Sequence, residues 1–146
     1  MDLILWRHAE AEDGSPDSAR ALTKHGRDQA RRIADWMKPR LPKRCEVLVS
    51  PATRTQETAS ALGVRFTTTA AVGTDAVAAE VIAAIGWPAH SKAVLVVGHQ
   101  PTLGRVAATL ISGAEADWHF AKGAVWWLRH VDGETRLFAA VHPKLL

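Results

Sequence analysis

Cysteine is nearly absent from this 146-residue chain: Cys45 stands alone, so no disulfide can form within it and no thiolate-rich metal site can be built. A lone cysteine of this kind is read as a small buried hydrophobe. Long apolar runs are also missing. None approaches the ~20 residues that cross a bilayer, and Met1-Asp2 does not resemble the basic start of a secretory signal, so a cytoplasmic protein without a membrane partner is expected. The glycine-rich loops G-x-G-x-x-G and G-x-x-x-x-G-K-[ST] do not occur, which argues against nucleotide-dependent kinase or dehydrogenase chemistry. Metal spacings such as H-E-x-x-H are absent too, and no cofactor is expected.

What remains is an ordinary globular composition, 47% hydrophobic and 23% charged, in a length that suits one domain over residues 1–146. Lys and Arg number 18 against 15 Asp and Glu, a net charge of +3 that mildly favours anionic partners. The basic residues are scattered among acidic ones, so no nucleic-acid partner is expected.

The first ten residues organise the reading. Leu3, Ile4, Leu5 and Trp6 make a near-continuous apolar run of strand length, the pattern of a strand buried on both faces of a parallel sheet. It stops at Arg7-His8. Ligand sites in open α/β sheets lie beyond the carboxyl ends of such strands.

The following segment, Ala9 to Ala21, is polar and contains Gly14-Ser15-Pro16-Asp17, so it reads as a surface loop placed to cover the strand end. Thr23 then caps a helix with Ala30, Ile33, Ala34 and Met37 on one face, closed by Pro39 and Pro42. Glu46 to Ser50 is a second strand. Ser50-Pro51 has the form of an N-cap and first turn, opening a helix to about Leu62 that carries Arg54 near the strand end. Val64 to Thr69 is read as a third strand. Asp75 is expected to cap a helix from Ala76 to Ile85, with Val77, Val81, Ile82 and Ile85 inward and Gly86 as its stop.

Ala93 to Val97 is the clearest strand, and it delivers His99 to its carboxyl end. Leu103, Val106, Ala107, Leu110 and Ile111 then follow at helical spacing. Asp132-Gly133 between two β-rich runs, Ala124 to Val131 and Thr135 to Val141, signals a hairpin. The expected fold is α/β: a single three-layer α/β/α domain whose central sheet is mostly parallel, with an antiparallel C-terminal strand or hairpin. Trp126 and Trp127 in one strand must face opposite ways; one is expected in the core, and the other, with Trp118, could form an exposed contact patch, the less favoured reading.

Arg7, His8, Arg54 and His99 therefore stand at three strand ends that should converge. Two guanidinium forks suit the nonbridging oxygens of a phosphoryl group, and their charge would hold neighbouring imidazoles neutral. One neutral histidine could attack phosphorus while the other donates to a phosphoryl oxygen. A zinc site built from His8, His99 and Glu10 is the competing arrangement, disfavoured because arginines among the ligands would repel a cation.

These residues lie in stretches that together resemble the histidine phosphatase superfamily. They are Leu5-Trp6-Arg7-His8-Ala9-Glu10-Ala11, then Arg20-Ala21-Leu22-Thr23-Lys24-His25-Gly26 with Gln29-Ala30, then Ser50-Pro51-Ala52-Thr53-Arg54-Thr55-Gln56-Glu57-Thr58-Ala59, then Val97-Gly98-His99-Gln100-Pro101. Ala9 replaces the glycine of the usual Arg-His-Gly motif, as is common in the small bacterial SixA-like phosphohistidine phosphatase branch. The resemblance implies that His8 is the phosphorylated nucleophile and that Arg7, Arg54 and His99 form the phosphate pocket. It implies a monomer acting on a phosphorylated protein without a metal. The alternatives are a phosphatase for small phosphomonoesters or phosphoanhydrides, and a non-catalytic phosphate-binding module. Larger superfamily members also supply a carboxylate that protonates the leaving group; here Asp75, Glu80 and Glu10 are weak candidates for it.

Overall fold

The structure is a computed structural model that describes all 146 residues. Six strands form one sheet in the order β3-β2-β4-β1-β5-β6. They are β1 (Asp2–Arg7), β2 (Cys45–Val49), β3 (Thr67–Thr68), β4 (Ala93–Gly98), β5 (Val125–Val131) and β6 (Glu134–Val141). The helices are α1 (Lys24–Met37), α2 (Thr53–Ser60), α3 (Ala78–Ile85) and α4 (Thr102–Ser112). β3, β2, β4 and β1 run parallel, while β5 and β6 join antiparallel. This is the α/β/α arrangement expected from the sequence.

Successive side chains of β1 enter different cores, which is why its apolar run does not alternate with polar residues. Ile4 and Trp6 pack with Ala30, Ile33, Ala34 and Met37 of α1 and Ala59 of α2. Leu3 and Leu5 pack on the other face with Val81 and Ile85 of α3 and Leu103, Val106 and Ala107 of α4. All four β1 residues are wholly buried. Burying a side chain of their size is worth about 1.5–3 kcal/mol, so β1 is firmly held in the sheet. No helix is long and apolar enough to cross a membrane.

The strand ends are stitched together beyond their last residues. His8 N–H donates to the Gly98 carbonyl at 3.0 Å, and Ser50 N–H donates to the Val97 carbonyl at 3.1 Å. β1, β2 and β4 consequently finish side by side. The hairpin also forms as its turn residues require: Asp132 and Gly133 have φ of 53° and 75°, both in the left-handed region.

Several boundaries differ from the sequence reading. β3 covers only Thr67–Thr68, because it meets the sheet only along the last two residues of β2. Ser50 does not cap α2. Its hydroxyl is engaged elsewhere, and the helix begins at Thr53 after an extended Ala52. Asp75 does not cap α3 either. The chain turns between Gly73 and Ala76, where the Ala76 carbonyl accepts the Thr102 hydroxyl, and the helix starts two residues later with Val77 exposed at its cap. Trp127 is in the core as expected, but Trp118 and Trp126 are half-buried. Trp126 stacks on Phe120 at 4.5 Å and lies 6.2 Å from Trp118, so these rings prop the sheet instead of forming a free patch.

Thr23 caps α1 as predicted, accepting from Gly26 N–H at 2.9 Å. Gly26 is required here by a close approach: a Cβ on it would sit 2.0 Å from the Glu10 carbonyl oxygen. Replacing a helix glycine by alanine ordinarily gains about 1 kcal/mol. Gly26→Ala is expected to lose about 1–3 kcal/mol instead, the cost of forced overpacking, seen as a lower urea midpoint with an unchanged slope.

Candidate active site

The four residues singled out in the sequence meet in one cavity of about 330 Å³. Arg7 and His8 arrive from β1, His99 from β4, and Arg54 from the first turn of α2. The His8 and His99 ring centroids are 5.4 Å apart. Asp13, Asp17 and Arg20 of the loop after β1 also line the cavity, with Thr74, Gln100 and Lys122. Four cations therefore face two carboxylates, and the balance favours an anion.

Each side chain is held by a specific contact. Arg7 Nη1 donates to the Phe120 carbonyl at 2.7 Å. His8 Nδ1 lies 2.7 Å from the Ala9 carbonyl. A carbonyl can only accept, so Nδ1 carries the proton and Nε2 keeps its lone pair. Ala9 is fixed in turn: its N–H donates to Thr58 Oγ1 at 3.1 Å, and the Thr58 hydroxyl donates to the Arg54 carbonyl at 2.7 Å. Arg54 Nη1 donates to the Asp17 carbonyl at 2.9 Å, and Nη2 pairs with the Asp17 carboxylate at 3.2 Å. His99 Nε2 lies 2.7 Å from Ser50 Oγ.

Three buried polar atoms of these residues have no protein partner: Arg7 Nε, Arg54 Nε and His99 Nδ1. A buried donor left unpaired costs about 1–3 kcal/mol. An oxyanion in the cavity would give these atoms the partner they lack.

Both imidazoles are kept neutral. Burial pushes the His8 pKa down to about 3, aided by His99, Arg54 and Arg7 and opposed by the Ala9 carbonyl. Burial likewise brings His99 to about 4, with Arg54 the next cause. The sequence reading credited the arginines with this effect. Desolvation is the larger cause, because the imidazoles lie under the sheet edge with only 8% and 4% of their surfaces exposed.

The candidate acids fall elsewhere. Glu10 Oε2 accepts the Thr23 hydroxyl at 2.7 Å and does not line the cavity, which also removes it as a third zinc ligand beside His8 and His99. Asp75 and Glu80 line a neighbouring cavity of about 330 Å³ that shares only Thr74 with this one. A roomier hollow of about 490 Å³ lies along α1, between His25, Arg32 and His142, and contains none of the unpaired donors.

Residues 3–80, more than half of the chain, match the histidine phosphatase superfamily (branch 1). The chain belongs to that superfamily. The phosphohistidine phosphatase SixA of Escherichia coli (strain K12) is 38% identical over 64 residues, 43% of this chain and 40% of that protein. The match thus spans less than half of that relative's length. A structure of the protein histidine phosphatase SixA complexed with tungstate superposes with a TM-score of 0.81, at 25% identity over 99% of each chain. A candidate phosphohistidine phosphatase SixA from Nakamurella multipartitia gives a TM-score of 0.82 at 26% identity, covering 97% of this chain and 95% of its own. The SixA-like resemblance in the sequence agrees with these relatives.

Sequence reasoning quoted Ser50, Thr58 and Arg20 within motifs but gave them no part in the site, reading Ser50 only as a helix cap. Asp17 had only its place in the loop after His8 as a signal, and Lys122 and Thr74 had none.

The depressed histidine pKa values set a pH dependence of stability. An unfolded histidine takes up a proton near pH 6.5, but His8 and His99 in the fold do so only near 3 and 4. Their contribution is therefore full above pH 6.5 and is lost as the pH falls toward 4. Each should add a slope of up to ~1.4 kcal/mol per pH unit in that window. Urea unfolding of wild type between pH 7 and 4.5 should lose stability more steeply than that of His8→Ala.

Proposed function

We propose that this chain is a metal-independent phosphatase that removes the phosphoryl group from phosphohistidine on a protein, through a phospho-His8 intermediate. The observation that carries the reading is the hydrogen bond from His8 Nδ1 to the Ala9 carbonyl, which leaves Nε2 as a neutral nucleophile in a cavity rich in cations. The tungstate in the SixA structure supports it, since the unpaired Nε donors of Arg7 and Arg54 suit an oxyanion of that kind.

In the first step the Nε2 lone pair attacks phosphorus. The substrate imidazole, protonated from solvent on its other ring nitrogen, leaves as a neutral group: its P–N bond breaks as the new one forms, and the electron pair of that bond stays on the departing nitrogen. In the second step water attacks phospho-His8, the P–Nε2 bond breaks, and phosphate leaves with His8 neutral again. Arg7, Arg54 and His99 hold the equatorial oxygens in both steps. The guanidinium groups supply the positive field, so no metal ion has a task.

The acid content of the cavity bears on the leaving group. Arg54, with help from Arg20, holds the Asp17 carboxyl below the usual carboxylate range, so it is ionised near neutral pH and is a poor proton donor. Imidazole leaves from a labile P–N bond and depends on such an acid less than an alkoxide does. That favours phosphohistidine over phosphomonoesters.

Incubation with a phosphohistidine protein should leave acid-labile phosphate on His8, and His8→Ala should carry none. Its phosphate release should fall roughly 10³-fold or more, and a chelator should change nothing. The ratio of kcat/KM values should favour the phosphohistidine protein over a panel of phosphorylated metabolites. Turnover that persists in His8→Ala would overturn the mechanism, and a preference for the metabolites would overturn the substrate class.

A further inference from the structure

Ser50 is wholly buried at the end of β2, and its hydroxyl has two neighbours. Ala52 N–H donates to Ser50 Oγ at 3.4 Å, and His99 Nε2 lies at 2.7 Å. We infer that Ser50 is a positioning residue for His99: its hydroxyl donates to Nε2 and so keeps the single imidazole proton on Nδ1, as a donor for a phosphoryl oxygen. Its catalytic consequence rests on the phosphatase reading above, whereas the tautomer does not.

The argument is one of satisfying donors and acceptors. A serine hydroxyl has one proton to give and two lone pairs to receive. The Ala52 N–H is a donor and occupies one lone pair, so the only acceptor within reach of the Ser50 proton is a bare His99 Nε2. In the opposite tautomer Nε2–H would donate to Ser50 and the hydroxyl proton would be stranded in a fully buried place. Nδ1 would then present a lone pair. Buried and unpaired as it is, that lone pair would meet the oxygens of a bound phosphoryl group and repel them. With the proton on Nδ1, the same atom becomes a third donor beside Arg7 Nε and Arg54 Nε.

The other atoms of Ser50 do different work, which makes the hydroxyl separable. Its carbonyl accepts from the Thr55 hydroxyl and from Gln56 Nε2, both at 2.9 Å, and its N–H closes onto Val97. None of these contacts uses the side chain. Ser50→Ala therefore removes the hydrogen bond to His99 and the longer one from Ala52 N–H, and leaves these backbone contacts of the strand-to-helix connection in place.

Long-range proton–nitrogen NMR of the imidazoles reads the tautomer directly in the full chain at neutral pH, with His99→Gln to assign the signal. Wild-type His99 should show a protonated Nδ1 and a bare Nε2, and Ser50→Ala should lose that pattern. Phosphate release from a phosphohistidine protein should fall in kcat by about tenfold, less than the roughly 10²–10³-fold cost of deleting an oxyanion donor outright. KM should move less. Ser50→Thr keeps a hydroxyl and should recover both the tautomer and kcat. A wild-type His99 protonated on Nε2 would overturn the inference, as would an unchanged kcat in Ser50→Ala or a folded Ser50→Thr as impaired as the alanine variant. If wild type shows the Nδ1 proton but releases no phosphate from any substrate, the phosphatase reading fails while the hold of Ser50 on His99 stands.

Discussion

Two imidazoles have to stay uncharged beside three guanidinium groups, and the architecture around the sheet edge follows from that requirement. Burial alone lowers a histidine pKa, but burial also removes the water that would satisfy its ring nitrogens. The fold meets both conditions with neighbours that accept or exchange a proton and carry no charge: the Ala9 carbonyl for His8 and the Ser50 hydroxyl for His99. A carboxylate in either place would have raised the pKa and favoured the charged imidazolium.

The arginines are arranged on the opposite principle. Their outer nitrogens are tied to Phe120 and Asp17, and each Nε is left without a partner. A guanidinium held at one edge loses less freedom when its other edge meets an anion. Asp17 also pairs with Arg20, so one carboxylate spaces two cations while the cavity is otherwise open to solvent.

Much of this was legible in the chain because it depends on period and adjacency. The unbroken run Leu3 to Trp6 encodes a strand covered on both faces, and an apolar strand followed at once by Arg7-His8 or Gly98-His99 marks a site-bearing end. What could not be read depends on long-range contacts. Ser50 has the local chemistry of a helix cap, and only the arrival of His99 from β4 diverts its hydroxyl. Asp75 has a similar local signature, overridden by the Thr102 hydroxyl on the Ala76 carbonyl. Glu10 stands two residues from His8, yet it is drawn away by Thr23 at the start of α1. The dominance of desolvation over arginine charge was invisible for the same reason, since burial is a property of the packed molecule.

The anchoring of the first strand's end has a kinetic side. Arg7 is held by a carbonyl 113 positions along the chain, and the Trp6 indole by one 117 positions along. Contacts that close such long loops are entropically slow to form and are seldom the first made during folding. Trp6 and Arg7 therefore reach their final geometry only when the segment from Phe120 to Gly123 has docked, even though their strand is strongly hydrophobic. A chain in which β1, β2 and β4 had already paired would hold His8 and His99 close together with Arg7 still unanchored, so that the cavity is complete only once the segment around Phe120 is in place.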